Sequence, residues 1–292
     1  MSGTCTRCSS PLPDGYGLAR LDDPWKDWEA RAELCKPCFG VMHAALSGEH
    51  TISTAAMTTP FPVLSRGRLF KALICPEMYS PSWWTFFDEI ETREAWWNVL
   101  PGDFVLDVGA DFGSYALPAL ALGATHVHAW SPPYKSRTEA VEAATLRASA
   151  NLNGWGDRLT VYEDGLWSSA GFLGAPDSPK MAAYFDTLDA AQAHIADERG
   201  NASAFPVRTL DSFAFARVDW LKIDAEGCEL EILRGGTETI ARCRPCVLLE
   251  QHYHVDPLCE SKCDEFLAAL NYEKVGTRPH HTIAHSLYRP RL

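Results

Sequence analysis

The chain has 292 residues, with 46% hydrophobic and 22% charged residues, a content that suits one large or two small globular domains with a real core. Its formal net charge of −12 excludes a broad nucleic-acid or anionic-membrane footprint, which needs a basic face. No apolar run reaches transmembrane length and the first residues lack the regions of a signal peptide, so we expect a cytoplasmic protein whose ten cysteines are reduced, metal-bound or buried.

Residues 1–50 carry Cys5-x-x-Cys8 and Cys35-x-x-Cys38, two knuckles separated by 26 residues. Each pair can bite one metal ion from a tight turn, and four thiolates complete a tetrahedral shell, so we expect a small zinc-ribbon-like module with structural Zn2+. So short a segment would draw its folding energy from the metal. Residues 24–34 read as a helix opening on Asp23 and Pro24. Five Lys/Arg against seven Asp/Glu in this module argue against a nucleic-acid finger and for a structural or protein-docking role.

Residues 51–100 read as a linker followed by a strand and a helix that pack on the core. The linker spans 47–62, Arg68–Cys75 looks like a strand, and 82–99 looks helical. Its aromatic pairs Trp83/Trp84, Phe86/Phe87 and Trp96/Trp97 suit packing against a sheet better than a base-stacking platform.

The remainder, 101–292, alternates strand and helix. Phe104, Val105, Leu106 and Val108 form a buried-strand run that ends in Asp107, Gly109 and Gly113 before a helical pattern begins at Tyr115. A strand, a glycine turn and a helix start build the crevice where α/β sheets take nucleotide-like ligands, and a missing Cβ lets a ligand lie against the backbone. Strands follow at 126–130, 159–163, 218–223 and 246–250, helices at 114–122, 135–152, 227–241 and 260–270. Tyr272–Val275 and Thr282–Tyr288 suggest a closing antiparallel pair, with His280 and His281 in a surface turn. Such βα units with right-handed crossovers make a doubly wound sheet. Residues 166–206 do not fit one βα unit and read as an insertion, a lid or substrate wall, with Asp189–Arg199 helical. The Cys243, Cys246, Cys259 and Cys263 set reads as buried thiols, not a second zinc site.

Lys222–Gly227 (KIDAEG) is the second informative stretch. Its strand delivers Asp224 to the carboxyl edge of the sheet, with Glu226 at the turn into a helix. Two such carboxylates suit orienting a cationic cofactor group, general-base work or metal ligation. His252 is a candidate general base, since histidine titrates near neutrality. A divalent ion held by Asp224, Glu226 or Glu250 would be compatible with the same site.

Here the sequence resembles the FkbM-type methyltransferases. The resemblance rests on PGDFVLDVGADFG, Asn151–Gly154, Thr209–Ser212, KIDAEG, Glu229–Gly235 and the run ending at Glu250, with Gln251-His252 after it. It covers about residues 68–288 and leaves out the cysteine module. It implies a class I methyltransferase (Rossmann-like) fold with a doubly wound seven-stranded sheet. It further implies S-adenosylmethionine as donor and a hydroxyl of a small molecule or glycan as acceptor. Carried onto this chain, Asp107, Gly109, Asp111, Gly113, Ser131 and Asp164 contact the donor, and Asp224, Glu226 and His252 stand beside the methyl group. Asp111 replaces the family's usual Asn, and Ser131 stands where the family places an acid that grips the ribose. A serine offers one neutral hydrogen bond in place of a charge-assisted pair. Two alternatives stay open: a non-catalytic zinc-bearing interaction protein on a methyltransferase scaffold, and an NAD-dependent oxidoreductase.

Overall fold

The computed structural model describes residues 19–22, 29–32, 60–73, 86, 90–132, 139–175, 183–187, 191, 203–280 and 283–291. Cys5, Cys8, Cys35 and Cys38 lie outside the described residues, as does most of Asp189–Arg199. Strand β1 (Ala19–Asp22) pairs antiparallel with β2 (Glu29–Ala32), Ala19 opposite Ala32. The helix expected over 24–34 therefore gives way to a strand at its centre. An isolated helix of this length is marginal in water, and a paired strand satisfies the backbone at once.

The expected linker ends in a strand. β3 (Phe61–Ser65) and β4 (Arg68–Ala72) form a hairpin with Ser65 opposite Arg68. The turn residues Arg66 and Gly67 both have positive φ, as tight two-residue hairpins require. Glu94 on helix α1 (Ile90–Trp96) fixes this turn, accepting from Ser65 Oγ at 2.7 Å and from Arg66 N at 2.8 Å. Helix α1 ends at Trp96, before the 99 expected, and Trp83, Trp84 and Phe87 lie outside the described residues. Trp97 is core, not platform: it is fully buried, edge-on to Tyr115 and Trp220 at 5.1 and 5.0 Å.

The main body then runs in chain order. It begins with β5 (Phe104–Val108), α2 (Ala116–Leu122), β6 (His126–Trp130), α3 (Glu139–Leu152) and β7 (Leu159–Tyr162). Four short strands follow: β8 (Gly165–Leu166), β9 (Gly171–Ala175), β10 (Ala183–Phe185) and β11 (Ser203–Arg208). The chain ends with β12 (Trp220–Ile223), α4 (Glu229–Gly235), α5 (Thr237–Cys243), β13 (Cys246–His252), α6 (Cys259–Ala269), β14 (Tyr272–His280) and β15 (Ile283–Pro290). The seven-stranded sheet has the order β14-β15-β13-β12-β5-β6-β7, and β15 alone runs against the others.

Strand alternation decides which layer each side chain meets. Val105, Val127 and Ala129 pack with α2, α3 and the β3–β4 hairpin on one face. Leu106, Val108 and Trp130 pack with α4, α5 and α6 on the other. The five described cysteines, Cys228, Cys243, Cys246, Cys259 and Cys263, are free thiols, the last two buried. No described helix is long and apolar enough to cross a membrane.

The described residues of the 166–206 insertion contribute to a second sheet of order β10-β9-β11-β8. Its base meets the far end of α4: a Cβ on Gly235 would lie 2.0 Å from the Trp167 carbonyl oxygen. The residues just after β8 thus abut the C-terminus of α4.

The helix expected over 227–241 is broken at Gly236 into α4 and α5. Asp211 supplies the cap that Gly236 cannot, accepting from Glu238 N at 3.0 Å and Thr239 N at 2.7 Å. Replacing Asp211 by Ala should cost about 1–2 kcal/mol of stability in urea titrations, because two orphan N–H donors lose a charged acceptor. An unchanged midpoint would rule out this capping role.

Candidate active site

The chain leaves β5 and β6 toward one face of the sheet and β12 and β13 toward the other. Between β5 and β12 the strand order reverses, which opens a crevice at their carboxyl ends. The two ends are stitched by Asp224 N donating to Val108 O at 3.0 Å. On the β6 side, Gly109 N and Ala110 N both donate to Trp130 O.

The expected glycines are both at the crevice, yet their missing Cβ atoms make room for protein, not ligand. Gly109 has φ +74, and a Cβ there would lie 1.7 Å from the Asp224 carbonyl oxygen. Gly113 has φ +94, and its Cβ would meet Leu146 Cδ1 of α3 at 2.5 Å. The first glycine lets two strand ends touch, and the second lets α3 close on the loop.

Buried charge concentrates at this junction. Lys222, 2% exposed, sits beside Asp107, 0% exposed, in neighbouring strands. Its Nζ donates to Gly109 O and Asp224 Oδ2, both at 3.1 Å, and lies 3.8 Å from Asp107 Oδ1. The ring of Tyr115 covers the ammonium at 4.9 Å. Asp111 is on the loop with φ +48. Burial, then the charge of Glu142 on α3, with Asp224 adding to it, hold its carboxyl well above the usual range. The Phe112 N–H and Lys222 oppose this.

A second cluster adjoins Asp224. His252, at the end of β13 and 3% exposed, bonds through Nδ1 to Glu229 Oε1 at 2.9 Å. Its Nε2 faces Glu226 Oε2 and Glu250 Oε1, each at 3.5 Å, and Asp224 Oδ1 at 3.7 Å. Burial alone would lower the His252 pKa. The Glu229 bond and the charges of Asp224, Glu229 and Glu226 outweigh it and raise the pKa to about 10. Glu229 is fully buried in the first turn of α4 and also accepts from Gly227 N at 3.0 Å and Cys259 Sγ at 3.4 Å. Burial would raise its pKa, but the His252 hydrogen bond and charge and the Gly227 N–H bring it below the usual value. Glu226 is half exposed on a strained backbone, φ +51. Behind Glu250, His285 Nε2 of β15 lies 3.1 Å from Oε2.

The structure therefore brings together Asp107, Gly109, Asp111, Gly113, Asp224, Glu226 and His252. Ser131, 3% exposed, follows Trp130 at the end of β6 and so borders the glycine loop. Asp164 stands past β7 with Oδ2 3.5 Å from Arg208 Nη1. Lys222, Glu229 and His285 were not anticipated. A lysine inside the otherwise apolar strand run WLKI is the one signal that pointed to Lys222.

Residues 107–276 match the family described as "Methyltransferase FkbM domain". Among solved structures, the methyltransferase FkbM from Methylobacillus flagellatus KT superposes with TM-score 0.51 at 16% identity, covering 69% of this chain and 47% of that one. The chain thus spans about half the length of that protein. P. horikoshii TYW2 in complex with MeSAdo gives TM-score 0.44 at 14% identity, covering 86% of this chain and 80% of that one. No curated protein sequence matches significantly.

Proposed function

Because the chain belongs to the FkbM methyltransferase family, we propose that it methylates a hydroxyl of a small molecule or glycan with S-adenosylmethionine as donor. The observation that carries this reading is the charge at the crevice. Asp107, Asp111, Glu142 and Asp224 gather around the glycine loop with Lys222 among them. That donor set fits a cofactor bearing a sulfonium and an ammonium, and it repels the pyrophosphate of a nicotinamide dinucleotide.

When bound, S-adenosylmethionine supplies an electrophilic methyl group. Asp107, Gly109, Asp111 and Gly113 would hold its amino-acid and ribose portion, with Ser131 giving a neutral ribose contact and Asp164 reaching toward the base. Asp224 and Glu226 flank the acceptor position. His252, as an imidazolium, has no lone pair to take a proton and instead steadies the carboxylates around it. Half-exposed Glu226 is the group placed to remove the acceptor's hydroxyl proton. The role of Cys5, Cys8, Cys35 and Cys38 as a structural zinc site, and of that module in docking a protein partner, is supported by their spacing alone.

Thermal shift separates the readings. S-Adenosylhomocysteine at a hundredfold excess over its Kd should stabilise the protein by about 2.7 kcal/mol, while NAD leaves the melting temperature unchanged. A shift with NAD and none with S-adenosylhomocysteine would reverse the assignment. No shift with either would favour the non-catalytic scaffold.

A further inference from the structure

We propose that Asp224, Glu250 and His252 form a binding site for a divalent transition-metal ion. One ligand atom from each lies within 4.8 Å of the others, close enough for a single ion to reach all three. Asp224 directly follows β12 and the other two share β13, so adjacent paired strands fix the spacing.

The histidine makes this more than a group of acids. Its ring is buried, and Nδ1 is committed to the fully buried Glu229. Nε2 has no hydrogen bond among the described residues and points at three carboxylates 3.5–3.7 Å away. A carboxylate behind a histidine sets its tautomer and aims the other nitrogen, the arrangement that orients metal-ligating imidazoles. Glu250 has the same kind of support, since His285 Nε2 lies 3.1 Å from Oε2 while Oε1 lies 3.5 Å from His252 Nε2. Binding of the ion displaces the Nε2 proton of His252 to solvent, and two carboxylates with the resulting neutral imidazole then balance a divalent charge. The imidazole favours manganese, iron, cobalt or zinc over magnesium and calcium.

Three protein ligands leave coordination positions open. The consequence for methyl transfer rests on the methyltransferase reading above. The acceptor hydroxyl oxygen would take an open position, where the ion lowers the hydroxyl pKa. The O–H proton passes to Glu226. The oxygen forms the new O–CH3 bond as the S–CH3 bond breaks and its electron pair stays on sulfur. The products are a methyl ether and S-adenosylhomocysteine. His252 is then a ligand and not the base.

The test uses full-length protein dialysed free of metal and titrated with Mn2+ alone, followed by the electron paramagnetic resonance signal of free Mn2+. We expect one bound ion per chain, with nitrogen hyperfine coupling from His252 in the wild type. Asp224→Asn and Glu250→Gln should each weaken binding by about 30-fold or more. The wild-type coupling decides the matter even if a variant fails to fold. Absence of Mn2+ binding below about 1 mM, or bound Mn2+ without nitrogen coupling, would overturn the proposal. S-Adenosylhomocysteine binding by the metal-free protein reports on the methyltransferase reading separately. A chain that binds this nucleoside but not Mn2+ loses the metal site and keeps that reading.

Discussion

Gly109→Ala should remove a large part of the protein's stability. The substitution meets two penalties at once. A non-glycine residue in the left-handed region costs roughly 1–2 kcal/mol. The added methyl would also sit 1.7 Å from the Asp224 carbonyl oxygen, which is backbone and cannot rotate away. The ends of β5 and β12 would have to part and break the Asp224 N to Val108 O bond. Together we expect a loss of about 4 kcal/mol or more, against a total stability of about 5–15 kcal/mol for a domain. Gly154 is the control. It has the same φ of +74, but a Cβ there meets nothing within 4 Å. Gly154→Ala should cost only about 1 kcal/mol. Urea titrations of the two variants measure the difference, and equal losses would show that the close approach at Gly109 carries no weight.

Glu229→Ala should be nearly as damaging. The carboxylate accepts from His252 Nδ1, Gly227 N and Cys259 Sγ while fully buried. Its removal leaves a buried imidazolium without its nearest counter-charge and orphans a backbone donor. Breaking one side of a buried pair costs about 3–5 kcal/mol. A double-mutant cycle with His252→Phe isolates the pair. The double variant should be less destabilised than the two single losses added, with a coupling of about 1–3 kcal/mol. Additive losses would mean that Glu229 serves the backbone turn and not the histidine.

The main sheet was largely legible in the sequence, because its strands are short apolar runs bounded by turn residues and helices of plain amphipathic pattern. FVLDV and WLKI became β5 and β12 at the expected places, and Asp224 emerged at the carboxyl edge. Glu229 was not legible. In the sequence it is an ordinary acid in the first turn of a helix, and its partner His252 lies 23 positions on. The glycines were legible as positions but not in their reason, since what fills their Cβ space comes from β12 and α3. The strands within the insertion were not legible, because β8 and β10 are too short for periodicity to show. The helix expected over 24–34 failed for a related reason: helical propensity says nothing of pairing with the preceding ARLD segment.

The adjacency of β5 and β12 has a consequence for the order in which the protein is made. Phe104 and Asp219, bonded at the base of these strands, are 115 positions apart. A ribosome adding about 5–20 residues per second leaves β5 without this neighbour for some 6–23 seconds. During that interval β5, β6 and β7 can pair, yet β5 presents an apolar open edge of the kind that recruits other chains. The crevice cannot preload a ligand while the chain is growing, because half of its wall arrives last. Its nascent form therefore calls for protection by a chaperone, or by rapid closure once β12 clears the exit tunnel.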